Sequence, residues 1–215
     1  MAEAIPDDTK LFTRFLKATN RLYSRNFHTV EQFSACPLPD SGPAIVIANH
    51  ISSADPFLIQ ATSHRVIRWM MAKEFYDIPV VKTLCRGLGF IPVIRTARDA
   101  TSLKAALRTL HDGNVLGIFP EGRISPTKDL LPFQPGLGMI AQRTGAPVFP
   151  VAVEGVPRNL SLLAALLLPH DGKILYGPPL RIQSRTAQIP DFRTAVQTLQ
   201  LQALAANSHR IIPAF

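Results

Sequence analysis

The segment IVIANHISSADPFLI, residues 45–59, joins an apolar run to a helix start through a short polar turn. The run extends over 44–49 (AIVIAN), and its unbroken apolar character predicts a strand buried on both faces. Asp55-Pro56 predicts a helix start, with aspartate as N-cap and proline at the first helical position. Strand, turn and helix in succession are the unit of an α/β sheet. This unit ends its strand in Asn49-His50 and places a carboxylate, Asp55, just beyond. On one helix, five steps would set the two side chains about 140° apart. The ISSA turn removes that objection, because it can fold the carboxylate back onto the imidazole. A carboxylate has two oxygens, so capping a helix and orienting a histidine are compatible.

Working outward, further strands are expected at 66–71, 90–94, 115–119, 148–153 and 173–176. Helices are expected at 99–111, 136–144 and 191–206. In the first of these, Leu103, Leu107 and Leu110 form an apolar stripe, and Gly113 suits the C-terminal stop. The expected fold is a single α/β domain over 31–215, with a mixed, partly parallel sheet flanked by helices. An amphipathic helix precedes it, over 8–27 within an N-terminal segment 1–30. On that helix Leu11, Phe12, Phe15, Leu16, Leu22 and Tyr23 share one side, while Lys10, Arg14, Lys17, Arg21 and Arg25 share another. Its apolar side either covers the core or meets lipid, with the basic residues at anionic headgroups. Each basic residue at such a surface contributes about 1 kcal/mol.

The 215 residues are 47% hydrophobic and 18% charged, which excludes a disordered chain. Net charge of +8 calls for a negatively charged partner: nucleic acid, anionic lipid or an acidic carrier protein. The two cysteines, Cys36 and Cys85, form no CxxC and suit a reducing compartment. The stretch MAEAIPDDTK lacks the apolar core of a signal peptide. The longest apolar run, LSLLAALLL at 160–168, falls short of the roughly 20 residues a bilayer span needs.

A neutral imidazole can take a proton at physiological pH, and a carboxylate on its other nitrogen fixes the tautomer and supports the imidazolium. Such a pair activates a hydroxyl. No GxSxG elbow exists to supply an enzymic serine. Ser52 and Ser53 lie nearby, but at a turn they serve equally well in bonding the backbone. The hydroxyl is therefore expected from an acceptor substrate.

Asn49 to Asp55, NHISSAD, resembles the NHxxxxD motif of the glycerolipid acyltransferase family, whose best-known members acylate lysophosphatidic acid. Three further blocks follow in that family's order. AKEFYDIPVVKTLCRGLGFIPVIR (72–95) resembles the second, FPEGRIS (119–125) the third and VFPVAV (148–153) the fourth. The resemblance implies His50 as general base, Asp55 as its orienting acid and Asn49 in support. The acceptor hydroxyl then attacks a thioester carbonyl directly. Backbone amides around 55–58 are candidate donors to the oxyanion. The resemblance also implies that Arg95 and Arg123 hold the acceptor phosphate, that Glu121 and Gly122 shape the loop, and that Lys73 assists. The third block departs from the usual FPEGTRS, since Arg123 follows Gly122 immediately. At Gln134 the family often has a lysine. Both departures bear on which headgroup is accepted.

The implied reaction acylates a lysophospholipid, first 1-acylglycerol-3-phosphate to make phosphatidic acid, next a lysophospholipid with a larger headgroup. The acyl thioester donor is acyl-CoA or acyl carrier protein, with no bound cofactor. The expected location is the inner, cytoplasmic face of a membrane, peripheral on an anionic surface. Two readings compete, a serine-type lipid hydrolase and a basic nucleic-acid-binding protein. Basic residues are scattered outside the first helix and no aromatic platform accompanies them, which argues against nucleic acid as partner. GLGMIA at 136–141 follows a proline-rich loop and not a strand, so no dinucleotide site is expected. His50, His64, Asp55 and Asp77 match no familiar metal-ligand spacing.

Overall fold

A computed structural model describes residues 11–94, 99–127, 129–158, 160–182 and 191–206. The elements begin with α1 (Leu11–Asn26), β1 (Thr29–Gln32), β2 (Ala44–Ala48), α2 (Asp55–Thr62) and β3 (Ile67–Ala72). Next come α3 (Lys73–Tyr76), α4 (Pro79–Leu88), β4 (Ile91–Val93), α5 (Ala100–His111) and β5 (Val115–Ile118). The last are α6 (Gly136–Thr144), β6 (Val148–Glu154), α7 (Leu162–Leu167), β7 (Asp171–Tyr176) and α8 (Phe192–Ala205). Residues 8–10 of the expected first helix, Lys10 among them, lie outside the described residues, as does Arg95.

The strands form one seven-stranded sheet in the order β1-β7-β6-β2-β5-β3-β4. β7 runs antiparallel to β6, and the other pairings among the described residues are parallel. The sheet is thus mixed and the domain α/β. β2 lies in the middle, with every residue buried. Its alternate side chains enter two cores. Val46 and Ala48 join Trp69, Val151, Leu58, Ile59 and Leu88 on the face covered by α2 and α4. Ile45 and Ile47 join Leu116, Ala106, Leu110, Ile140 and Val196 on the face covered by α5, α6 and α8. Helices on both faces explain why the strand lacks polar alternation.

Some elements differ from expectation. β1 has the edge position and a polar sequence, TVEQ, so no alternating pattern marks it. α4 contains β-branched residues and Gly87, poor helix formers. The glycine has a packing reason, since a Cβ there would lie 2.6 Å from a ring carbon of Phe12 on α1. Asp55 does not cap α2: Ala54 is the N-cap, with no side-chain bond, and the aspartate turns back toward the strand. The run at 160–168 contains a helix of six residues, α7.

The packing of α1 overturns one of its two expected placements. Thr13 and Ser24 are buried, the Asn20 amide donates to the carbonyl of Phe57, and the Lys17 ammonium donates to that of His64. Leu11, Phe12, Phe15 and Leu22 face outward, 53–81% exposed. The helix attaches by small and polar residues together with Leu16, which packs on the core, while Leu11, Phe12, Phe15 and Leu22 stay more than half exposed. Lys17 therefore does not belong to a solvated basic face.

Where α1 ends, His28 is buried against Tyr23, Phe27 and His170, its ring 4.0 Å from that of His170. Burial, with the neighbouring His170, pushes the His28 imidazole down to about 4. The unfolded chain, whose histidine titrates near 6.5, takes up a proton that the folded chain refuses. Stability is expected to fall as pH drops from 6.5 towards 4. Thermal melts across that window should show a shallower loss for His28→Phe than for the wild type.

Candidate active site

The parallel strands β2 to β6 bring their carboxyl ends to one edge of the sheet, where open α/β sheets hold their ligands. Residues expected at the site follow those ends: His50 after β2, Lys73 after β3, and Glu121, Gly122 and Arg123 after β5. Asn49 extends the ladder by one rung made of side chain. Its amide donates to the Val153 carbonyl at 2.8 Å and its oxygen accepts from the Val153 N–H at 2.8 Å. β2 is thereby held beside β6 up to the residue before His50.

The turn does fold the carboxylate back. Asp55 Oδ2 lies 2.9 Å from His50 Nδ1 and also accepts from the N–H groups of Ile51 (2.7 Å) and Ser52 (2.8 Å). Asp55 is fully buried, whereas the His50 side chain remains 18% exposed. Two backbone donors on the same oxygen favour a carboxylate, and a carboxylate requires the proton on Nδ1. The network therefore assigns the lone pair to Nε2.

The main chain of His50 is gripped as well. Its N–H donates to Glu121 Oε1 at 2.8 Å, and its carbonyl accepts from the Ser125 N–H at 2.8 Å. Glu121 Oε2 accepts from the Leu131 N–H at 2.9 Å. The buried Glu121 carboxylate thus ties the loop 119–134 to the strand end, and its position relative to the histidine is set by backbone. Burial raises its pKa, partly offset by the Leu131 and His50 amides. Gly122 sits at φ +72°, within the left-handed region that a turn here requires. Arg123 follows, exposed.

Lys73 is exposed at the start of α3 and ion-pairs with Asp77, which Lys82 also approaches at 3.2 Å. Those two ammonium groups hold the Asp77 carboxyl below its usual range. Among the described residues, no three metal-ligating side chains are grouped to hold an ion. The amides near the start of α2 are occupied: Asp55 donates to Ser52, and Phe57 and Leu58 donate to Ala54. They do not provide the free oxyanion donors expected there.

The sequence reading assigns no role to Glu154 or Arg158, at and just beyond the end of β6. Glu154 is buried, accepts from Gln200 at 2.7 Å and lies 3.6 Å from the Arg158 guanidinium. Arg158 also donates to the Thr127 carbonyl at 2.6 Å, tying the loop to this strand end. Phe119, quoted within the FPEGRIS block but given no role, stacks on the His50 ring. No local sequence signal marks these contacts, because the partners lie on different elements.

A family model described as Acyltransferase matches residues 24–154. A 1-acyl-sn-glycerol-3-phosphate acyltransferase of Bacillus subtilis is 28% identical over 124 residues, 58% of this chain and 59% of that protein. A chloroplastic 1-acyl-sn-glycerol-3-phosphate acyltransferase of Brassica napus is 26% identical over 147 residues, 66% of this chain and 42% of that protein. The chain thus spans about half the length of these curated relatives. The crystal structure of the 1-acyl-sn-glycerophosphate acyltransferase PlsC from Thermotoga maritima shares the fold. Its TM-score is 0.76 at 23% identity, covering 95% of this chain and 85% of that one.

Proposed function

This chain belongs to the acyltransferase family, and on that premise we propose that it moves a fatty acyl chain from an acyl thioester to a lysophospholipid hydroxyl. The acceptor is 1-acylglycerol-3-phosphate and the product phosphatidic acid. The observation that carries this reading is the His50–Asp55 contact of 2.9 Å, with His50 partly open to solvent at the carboxyl edge of the sheet.

The acceptor hydroxyl gives its proton to Nε2 of His50 as its oxygen attacks the thioester carbonyl carbon. Asp55 holds the proton on Nδ1 and supports the imidazolium that forms. The tetrahedral adduct collapses, the carbon–sulfur bond breaks, and the leaving thiolate takes the proton back from Nε2. No acyl-enzyme is formed. General base catalysis of this kind contributes about 10²–10⁴-fold. Arg123 on its exposed loop, with Arg95 and Lys73, binds the acceptor phosphate, to which a guanidinium fork is suited. The donor is acyl-CoA or acyl carrier protein.

The test is incubation of purified protein with a labelled acyl donor and a panel of lysophospholipids, read by lipid mass spectrometry. Labelled phosphatidic acid is the expected product. No acylated lipid from any acceptor, with either donor, sinks the proposal.

The enzyme works from a membrane surface, on the cytoplasmic side. No helix among the described residues is long and apolar enough to cross a bilayer. The Tyr23 hydroxyl of α1 bonds the Leu166 carbonyl, so α7 lies beside α1. α7 and the residue after it add Leu163, Leu167 and Leu168, each at least 50% exposed, to the outward apolar residues of α1. Apolar side chains flanked by Arg14 and Arg25 suit an anionic interface. Burying one such side chain fully contributes about 1.5–3 kcal/mol. Phe15→Ser with Leu22→Ser is therefore expected to weaken binding to anionic vesicles at least about tenfold. Vesicle sedimentation checks it.

A further inference from the structure

Three aromatic rings stand in a column that ends at His50. The His50 imidazole lies on Phe119 with centroids 4.0 Å apart and planes 16° from parallel. Phe119 in turn lies on Trp69, at 4.5 Å and 13°. They come from three neighbouring strands or the residues just past them: Trp69 in β3, Phe119 one residue after β5, and His50 two residues after β2.

The foundation of the column is a glycine. Trp69 pairs in register with Gly117 of β5. A Cβ on Gly117 would lie 2.5 Å from two atoms of the indole, a distance no real contact tolerates. Only glycine lets the indole lie flat across β5. Phe119 is two residues beyond Gly117, so both belong to the same side of that strand. The indole, buried to 1% exposure, reaches from the bare glycine to the underside of the phenyl ring.

A single hydrogen bond from Nδ1 fixes one point of an imidazole and leaves its plane free to swing. The stack removes that freedom. We propose that Phe119, supported by Trp69 over Gly117, is a positioning residue that sets the ring plane of His50 and hence where Nε2 points. This rests on the reading of His50 as the base. An aromatic face also favours the imidazolium formed when the proton arrives. Both effects act on the reacting atom and neither touches the acceptor headgroup.

In the test, Phe119→Leu is made beside Phe119→Tyr, Gly117→Ala and His50→Ala. Phe119→Leu is expected to lower kcat about 10- to 100-fold, the penalty of a misplaced group, with KM for the acceptor held within about twofold. Phe119→Tyr, which keeps the ring, should restore kcat. An activity-independent readout is the His50 ring-proton NMR signal, shifted upfield by the phenyl face in the wild type. It should move downfield in Phe119→Leu and stay in Phe119→Tyr. Should Phe119→Leu fail to fold, Gly117→Ala takes its place by pushing the indole from beneath. The fluorescence of Trp69, the sole tryptophan, and the His50 signal should then both change. Wild-type kcat in Phe119→Leu, or a lowered kcat with the His50 signal unmoved, overturns the proposal. With His50→Ala inactive, such a result removes the positioning role alone. If His50→Ala turns over normally, the base assignment falls and the positioning role with it.

Discussion

His50→Ala is expected to lower acyl transfer by about 10²–10⁴-fold while leaving the fold intact. The expectation of an intact fold comes from how this residue is held. Both bonds that join the loop to the strand end use the main chain of His50, its N–H to Glu121 and its carbonyl to Ser125. Alanine keeps both. Asp55 likewise keeps the Ile51 and Ser52 amides when the imidazole is gone. The lost side chain therefore removes a proton acceptor and one face of the stack on Phe119, without opening the loop. Circular dichroism and melting temperature should stay close to wild type while turnover collapses. Turnover above about a tenth of wild type, well outside the range for a lost base, defeats the catalytic assignment.

The second large effect is at Asp55, where two substitutions separate charge from geometry. Asp55→Ala removes the acceptor of three hydrogen bonds and leaves the Ile51 and Ser52 N–H groups without a side-chain partner. Each buried donor so stranded costs about 1–3 kcal/mol. This variant should lose both activity and thermal stability. Asp55→Asn retains an oxygen that can accept from the same amides, so the turn should survive with a smaller fall in melting temperature. It lacks the charge that supports an imidazolium, and turnover should still fall by about 10³–10⁴. Paired melts and initial rates distinguish the two. Equal activity in Asp55→Asn and wild type removes the acid from the mechanism.

The sheet was legible because its strands are apolar runs of strand length separated by helical patterns. β2, β5 and β6 lie within a residue or two of expectation. α6 matches its expected limits, because Gly145 stops it and a clear apolar stripe runs along it. β1 was hidden, since an edge strand needs little apolar alternation and gains its order from β7. α4 was hidden by residues that disfavour helix locally and that packing against α1 overrules. For α1 the sequence left two placements open, its apolar side on the core or at a lipid interface. Periodicity groups its apolar residues, but the carbonyls of Phe57 and His64, which hold Asn20 and Lys17 against the domain, lie too far along the chain for it to reveal.

At the site, the closeness of His50 and Asp55 was readable because one short turn joins them. The grip of Glu121 on His50 was not, since the residues are 71 apart in the chain. The column on Gly117 was likewise invisible, because it depends on the register of β3 against β5. The amides near 55–58 expected as oxyanion donors are occupied locally, that of Asp55 by Ser52 and those of Phe57 and Leu58 by Ala54.

The outward-turned side of α1 and α7 bears on how the molecule behaves in a test tube. Away from lipid, Phe15, Leu22 and Leu163, each more than 60% exposed among the described residues, meet bulk water. Contiguous oily patches of that kind drive copies together. Concentration-dependent self-association, relieved by mild detergent, is the colloidal signature this arrangement leaves.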